Sequence, residues 1–538
     1  MSIRCWLLVG LGWIVAAGDV PAQSVQRSAS SPQPIILTLE EAIQIALIQN
    51  RALQSARLDV ANARAQVREA WGQVLPQVNL SADYTRNLKT PNPFAGSAAG
   101  NLFQSLGFLD WLAYNERART DDNPETEPIS FGEFVERQQQ ALAEAGIRPR
   151  AGDNPFAVDN RFTAGLTIEQ TLFSKTAFAA IKGAKILQEI NRRGATRQEQ
   201  LLIDQVRRAF YGALLAQEQV RVMAQSVART RETLQETIRR VAQGVAPQFQ
   251  RLSVEVELAN LETQLIQAQN QAAQTLDQLK LLLGIPLDQP IQLRGVLAVT
   301  DPGRYQQIAL DEAVALALER RPDLEQLRLQ IKLREVDREL AKAARYPRLS
   351  AFASFSYIGN VPDYRTVILS DPNDPFKFSR RTNDFFSSAY WNPSVNIGVR
   401  LTWTLFSGFQ TAARVQQRQI AVKQAELQYL HQLDQVRLEV LQALRDLEAA
   451  RKRLVSQARN VERAELNYTH ARIRLREGVA SPLEEREASQ QLDQSRLNYL
   501  QAVYDYLTAQ SAFETAVGLI APPGQEARVS LTLRHESR

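Results

Sequence analysis

The stretch LTLEEAIQIALIQNRALQSARL, Leu37 to Leu58, returns 271 positions later as IALDEAVALALERRPDLEQLRL, Ile308 to Leu329. The offset holds without a gap to Pro76 and Pro347, each of which ends a helical pattern. Further on, GLTIEQTLFS (Gly165 to Ser174) matches GVRLTWTLFS (Gly398 to Ser407) at an offset of 233. Gly244-Val245-Ala246 then matches Gly478-Val479-Ala480, and Leu283-Gly284 matches Val517-Gly518, both at 234. A constant period of this kind marks a duplicated unit rather than independent domains. The unit reads as short helix, strand, loop, strand, long helix, turn, short helix. The first copy takes 23–284 and the second 309–518, with 285–308 between them and a tail at 519–538.

The turn is clearest in RLREGVASPLEEREASQQLDQSRLNYLQ, Arg474 to Gln501. Gly478 suits the position just past a helix end, and Ser481-Pro482 fits the N-cap and first position of the next helix. Its twin is Gly244-Val245-Ala246-Pro247. The long helix before each turn (Ser174 to Gln243, Phe409 to Glu477) has about 70 residues and a length of roughly 105 Å. The shorter ones (Leu39 to Leu75, Pro247 to Leu283, Leu310 to Tyr346, Leu483 to Val517) measure roughly 55 Å each, so two end to end equal one long helix. Leu39, Ala42, Ile43, Ala46 and Leu47, like Val206, Ala209, Phe210 and Ala213, follow helical spacing. Such narrow, Ala-rich stripes predict helices packed side by side with water on both broad faces.

Composition supports extended helices over thick cores, because much of the 44% hydrophobic content is Ala. The net charge is +5, but signs alternate, as in Arg334-Glu335-Val336-Asp337-Arg338-Glu339; that is a solvated helix face and argues against a nucleic-acid partner. Arg4 precedes an apolar run from Cys5 to Ala17, and Val20-Pro21-Ala22 offers a small-residue cleavage site before Gln23. Residues 1–22 therefore read as an export signal. The only cysteine, Cys5, lies inside it, which leaves the mature chain without disulfides or thiol chemistry. No other apolar run has the length of a membrane helix, so entry into a membrane falls to strands.

Four segments have the right pattern. Val78, Leu80, Ala82 and Tyr84 alternate with polar residues over 77–86, as do Phe162, Ala164, Leu166 and Ile168 over 162–172. In the second copy, Leu349, Ala351, Ala353, Phe355 and Tyr357 alternate over 348–357, and Val395, Ile397, Val399, Leu401 and Trp403 over 394–404. Alternation suits a soluble sandwich equally well. Strands of about ten residues in an exported chain, with Tyr84, Phe173, Tyr357, Trp391, Trp403 and Phe406 near their ends, favour a membrane barrel. Val78, Leu80, Leu166, Ile168, Leu349, Phe355, Val399 and Leu401 would then face outer-membrane lipid. Four strands cannot close a barrel and open edges are not tolerated in lipid, so at least two chains must share one.

The tandem copies, the TLFS and TLFSG junctions (Thr171 to Ser174, Thr404 to Gly408) and GVAS followed by a long Gln/Ala/Leu helix together resemble the TolC family of outer-membrane efflux proteins. The resemblance covers nearly all of Leu37 to Gly518. It implies a mainly α fold with transmembrane β: a homotrimer whose chains contribute four strands each to one β-barrel, continued by a periplasmic α-helical barrel. It implies an exit duct working with a periplasmic adaptor and an inner-membrane transporter in drug efflux or protein secretion. It also implies an equatorial belt that takes Ile285 to Ile308 and Val529 to Leu533. The departure is the first extracellular connection, 86–160, which is unusually long. It holds an apolar patch (Leu102, Phe103, Leu106, Phe108, Leu109, Trp111), an acidic stretch (Asp121 to Glu127) and an expected amphipathic helix, Phe131 to Ala145.

The functional expectations gather at the turns. Gly244, Val245, Ala246, Gly478, Val479 and Ala480 lie at the free ends of the longest helices and are the natural adaptor contact. Just past the second turn, Glu484 and Glu487 share a helix face; the aligned residues of the first copy are Gln250 and Ser253. The resemblance implies that acidic residues here constrict the periplasmic entrance; six carboxylates from three chains would then attract cations and hold the closed tips through partners such as Arg251 or Arg486. The alternative is a solvated face, because acidic residues also suit a helix N-terminus. Enzyme chemistry finds no support: His431, His470 and His535 lack ligand spacing, and no phosphate loop or nucleophile elbow is present. No cofactor is implied. The rival from another class is an exported coiled-coil spacer anchored in the outer membrane.

Overall fold

The computed structural model describes residues 34–89, 98–123, 126–146, 158–371, 374–477 and 479–523. The export signal, Gly478, the tail Val529 to Leu533, and Pro124 and Glu125 of the acidic stretch lie outside these residues, as do the side chains of Leu102, Phe103 and Leu106. In chain order the elements are β1 (Ile35–Leu37), α1 (Leu39–Gln49), α2 (Arg51–Gly72), β2 (Gln77–Arg86), α3 (Ala98–Thr120), α4 (Phe131–Glu144), β3 (Asn160–Phe173), α5 (Lys175–Ala242) and α6 (Gln248–Leu283). They continue with β4 (Ile291–Leu293), α7 (Leu310–Arg320), α8 (Pro322–Ala343), β5 (Arg348–Val361), β6 (Thr366–Ser370), β7 (Phe378–Thr382), β8 (Trp391–Thr402), α9 (Gln410–Arg476) and α10 (Pro482–Val517). The order α1-α2-β2-β3-α5-α6 recurs as α7-α8-β5-β8-α9-α10.

The short helix that opens each copy is broken, where the sequence reading had it continuous. In the first copy Asn50 adopts an extended backbone between α1 and α2. Its carboxamide oxygen accepts from the Leu53 amide at 3.1 Å and its amide donates to the Leu282 carbonyl at 2.9 Å, so one side chain caps α2 and one end of α6. In the second copy the aligned break falls at Arg321, and Pro322 takes the first position of α8. A proline suits that first helical position, yet the sequence reading ran one helix through it from Leu310 to Tyr346.

The chain divides into two compact units, and α5 and α9 contribute residues to both. The first unit takes the described parts of Met1–Ser55, Gln198–Arg320 and Val436–Arg538. Its core is helical and rich in alanine: Ala42, Ile43, Ala46, Val206, Phe210, Ala213, Leu279, Val436, Tyr506 and Phe513 are buried. A short parallel pair, β1 with β4, brings Ile35 opposite Ile291 and Leu37 opposite Leu293. The segment between the copies is tied in by polar contacts. Arg207 of α5 lies 2.6 Å from Glu514 of α10, and the Tyr305 hydroxyl donates to the same carboxylate at 2.9 Å.

The second unit, Ala56–Arg197 with Arg321–Gln435, holds a four-stranded antiparallel sheet in the order β2-β3-β5-β8. β2 has the expected bounds, β3, β5 and β8 run slightly beyond them at the loop ends, and β8 stops at Thr402 rather than at 404. Register aligns chemistry across all four strands. Leu80, Leu166, Phe355 and Val395 form one row, and Val78, Ile168, Ala353 and Ile397 another on the same face. The other face carries the row Asn79, Thr167, Ser354 and Asn396.

The long first connection is folded where it is described. α3 and α4 pack through Phe108, Trp111 and Phe131, and Phe134 is fully buried against Tyr114 and Phe376. Asn115, also buried, donates to the Ile129 carbonyl at 2.8 Å and accepts from the Ile129 amide at 3.0 Å. The β6–β7 hairpin lies in the second connection.

Two helix-ending glycines provide a test of local cause. Gly244 and Gly284 both take left-handed backbone, at φ of +72° and +78°. A Cβ at Gly244 meets nothing, but at Gly284 it would stand 2.8 Å from the Gln49 carbonyl oxygen. Gly244→Ala is therefore expected to cost about 1 kcal/mol from backbone strain alone, and Gly284→Ala distinctly more. Thermal denaturation of the two purified variants checks the order; equal losses would show that the α1–α6 contact is not tight.

Candidate functional site

The two turns close the α5–α6 and α9–α10 hairpins with the same bond. The Val245 amide donates to the Arg240 carbonyl at 3.0 Å, and the Val479 amide to the Arg474 carbonyl at 2.9 Å. This six-to-one bond satisfies a carbonyl that the helix leaves open and forces the chain to reverse. Val245 and Val479 are 65% and 70% exposed, so each hairpin presents an apolar side chain to its surroundings. Ala246 is half-buried and Ala480 sits in the corresponding bend.

Downstream of the second turn the candidate carboxylates part ways. Glu484 forms a capping box: its amide donates to Ser481 Oγ at 3.3 Å and its carboxylate accepts from the Ser481 amide at 3.5 Å. Glu484 also stands 3.4 Å from Arg474 of α9. Glu487 is exposed and enters none of these contacts. Of the expected partners, Arg251 pairs with Glu255 one turn along α6 at 2.7 Å. Arg486 reaches across from α10 to Glu257 at 3.5 Å and donates to Ser253 Oγ at 3.2 Å. Within one chain, neither arginine meets Glu484 or Glu487.

What sequence reasoning missed is the groove behind these residues. α5, α6 and α10 enclose about 450 Å³ lined by Phe249, Gln250, Val254, Leu261, Leu483 and Glu485 among others. Its far end is bound by Arg229 of α5, which pairs with Asp493 of α10; Ser226 donates to the same carboxylate. Gln490 donates to Glu257 at 2.9 Å. The signal was present as carboxylates and arginines a few positions inside each hairpin, but nothing in a linear pattern says which helix each will face. Glu485 is the member under tension. Burial pushes its carboxyl above the usual carboxylate range, and the nearby Glu257 adds to this, while a hydrogen bond from Tyr468 and the charges of Arg472 and Arg229 pull the other way.

The second candidate surface is the sheet of the other unit. All eight residues expected to meet lipid share one face, the face of the Leu80 and Val78 rows. Leu80 and Ile397 are 79% and 82% exposed, which is large apolar area for a face left in water. Among the described residues no helix is long and apolar enough to cross a membrane, and no His, Cys, Asp or Glu group could hold a metal ion.

Comparison with known proteins gives consistent results. A family model described as Outer membrane efflux protein matches residues 116–285 and 313–519. The alkaline protease secretion protein AprF of Pseudomonas aeruginosa is 24% identical over 433 residues, which is 78% of this chain and 80% of that protein. The outer membrane protein VceC of Vibrio cholerae superposes with a TM-score of 0.63 at 16% identity, covering 89% of this chain and 96% of that one. The CmeC outer membrane channel of Campylobacter jejuni gives 0.62 at 15% identity over 93% and 89%. At such identities these structures establish a shared fold.

Because the folded state raises the carboxyl pKa of Glu485, its contribution to stability is complete below the ordinary carboxylate pKa. It is lost as pH rises through the raised value. Glu485→Gln is expected to slow hydrogen exchange in the first turns of α6 and α10 at pH 7.5, with a smaller difference from wild type at pH 5. Equal exchange at both values would show that the buried charge carries no cost.

Proposed function

We propose a specific working form for this chain, which belongs to the outer membrane efflux protein family and is an outer-membrane exit duct for efflux or secretion. Three copies join their four-stranded sheets into one twelve-stranded barrel in the outer membrane, and their long helices continue it as a tunnel into the periplasm. The observation that carries this is the register of the sheet. The apolar rows of Leu80 and Val78 on one face, against the polar row of Asn79, Thr167, Ser354 and Asn396 on the other, match lipid outside and water inside. The outer strands β2 and β8 each have one ladder partner, and the missing partner is supplied by the neighbouring copy.

In this reading Val78, Leu80, Leu166, Ile168, Leu349, Phe355, Val399 and Leu401 contact lipid. Transport is passive, driven by an inner-membrane transporter and delivered through a periplasmic adaptor. The exposed Val245 and Val479, with the small Gly244, Ala246, Gly478 and Ala480 beside them, are the adaptor contact. Glu487 and Gln250 belong to the entrance, with Arg251 on the same turn of α6. Glu484 serves first as a helix cap, which leaves Glu487 as the carboxylate able to act on a passing cation. The coiled-coil spacer does not account for a sheet whose one face is lined mainly by apolar side chains.

Planar-bilayer conductance of the purified protein tests the duct, since a spacer passes no current. Leu166→Arg or Val399→Arg should lower trimer yield, at roughly 2–4 kcal/mol near the membrane midplane. Thr167→Arg should leave assembly intact and change conductance. Equal assembly of all three variants would reverse or abolish the face assignment.

Docking is tested separately. A photo-reactive crosslinker at Val245 or Val479 should capture a co-expressed adaptor, and one at Ile48 of α1 should not. Absence of capture from both turns would remove the adaptor contact from these residues.

A further inference from the structure

The polar face of the sheet has a feature that a passive duct does not require. Where β3, β5 and β8 meet the first residues of α5 and the end of α8, they enclose a cavity of about 420 Å³. Its wall carries Lys175, Arg348 and Arg400 against one carboxylate, Glu169. Register places Glu169, Arg348, Ser350 and Arg400 on the same face as Thr167 and Ser354. The charge imbalance is therefore on the side assigned to water, where a bare salt-bridged wall would be the neutral solution.

The cations are held without being neutralised. Arg348 donates to Thr171 Oγ1 at 3.3 Å and lies 3.9 Å from Glu169, at the outer limit of an ion pair. Arg400 stacks 5.0 Å from the centre of the Phe352 ring, and the Lys175 ammonium sits 3.5 Å from the centre of the Tyr346 ring. Aromatic faces fix a cation while leaving its hydrogen-bond donors open. Arg400 and Lys175 have no carboxylate within ion-pair distance among the described residues. The buried hydroxyl residues Ser174 and Ser350 complete the wall.

We propose that this cavity is an anion-binding station in the duct, taking the phosphate or carboxylate group of a passing solute. Arg348 and Arg400 offer planar forks that match an oxyanion, and Lys175 supplies a point charge. The proposal rests on the duct reading above, by which three such stations ring the lumen at the base of the barrel. Glu169 opposes binding, and its loose contact with Arg348 keeps the station from holding an anion too tightly for passage.

The test is block of single-channel current through the full-length protein by inorganic pyrophosphate and, separately, by citrate. Arg400→Gln and Lys175→Gln are each expected to raise the blocking concentration about tenfold, whereas Glu169→Gln lowers it. The opposite sign of the Glu169 variant separates loss of binding from damage to the barrel. Tighter block by pyrophosphate assigns phosphate-bearing solutes, and tighter block by citrate assigns carboxylates. Absence of any wild-type current overturns the duct and the station with it. Normal currents with equal blocking concentrations in wild type and all three variants overturn the station alone.

Discussion

A strand in hydrocarbon must have every backbone N–H and C=O paired, because no water is there to take them. The rest of this molecule follows from that constraint. The sheet β2-β3-β5-β8 satisfies its interior ladders but leaves one edge each on β2 and β8. In the proposed barrel a single chain is incomplete, and each copy of the unit would contribute two strands towards a closed ring. The same constraint explains the two faces of the sheet. Side chains alternate across a strand with period two, so the antiparallel register turns four separate alternations into continuous rows.

Helix packing follows a different logic. The helices are wetted on their broad faces, so stability comes from narrow seams of Ala and small β-branched residues supplemented by charge pairs between hairpins. The pairs inside one hairpin, such as Arg231 with Glu262 and Arg496 with Glu465, are half-exposed and individually weak. Glu514 is an exception: it is buried, paired to Arg207 and hydrogen-bonded by Tyr305, and it fixes the segment between the copies to both a long and a short helix. The hairpin turns, by contrast, are held by backbone caps and by more exposed pairs such as Arg474 with Glu484.

Much of this was legible in the sequence because it depends on period and length. The duplication, the long helices, the four strands and both turns each extend over enough residues to leave a pattern. The β1–β4 pair left none: three residues per strand cannot establish an alternation. The helix breaks were half legible, since Pro322 announces one, whereas Asn50 acts through a carboxamide whose second partner, the Leu282 carbonyl, is remote in sequence. α3 was missed within an apolar patch of mixed character, and the β6–β7 hairpin within a loop. The candidate entrance was least legible. Arg251 and Arg486 were named as partners for Glu484 and Glu487, but their choice of Glu255 and Glu257 depends on which way each helix is turned.

The difference between the two turns has a local cause that limits what can be read into it. In the first copy the residue before α6 is Pro247, which makes no side-chain cap. In the second it is Ser481, and Ser481 at the N-cap favours an acidic residue three positions on. Glu484 against Gln250 is therefore accounted for by capping alone, without any demand from cargo. Glu487 against Ser253 is not. Glu487 lies outside the capping box, remains exposed and forms none of the ion pairs that bind the hairpins together, whereas Ser253 is spent on Arg486. In the proposed trimer, the acidic character of the entrance would rest on that single carboxylate from each copy.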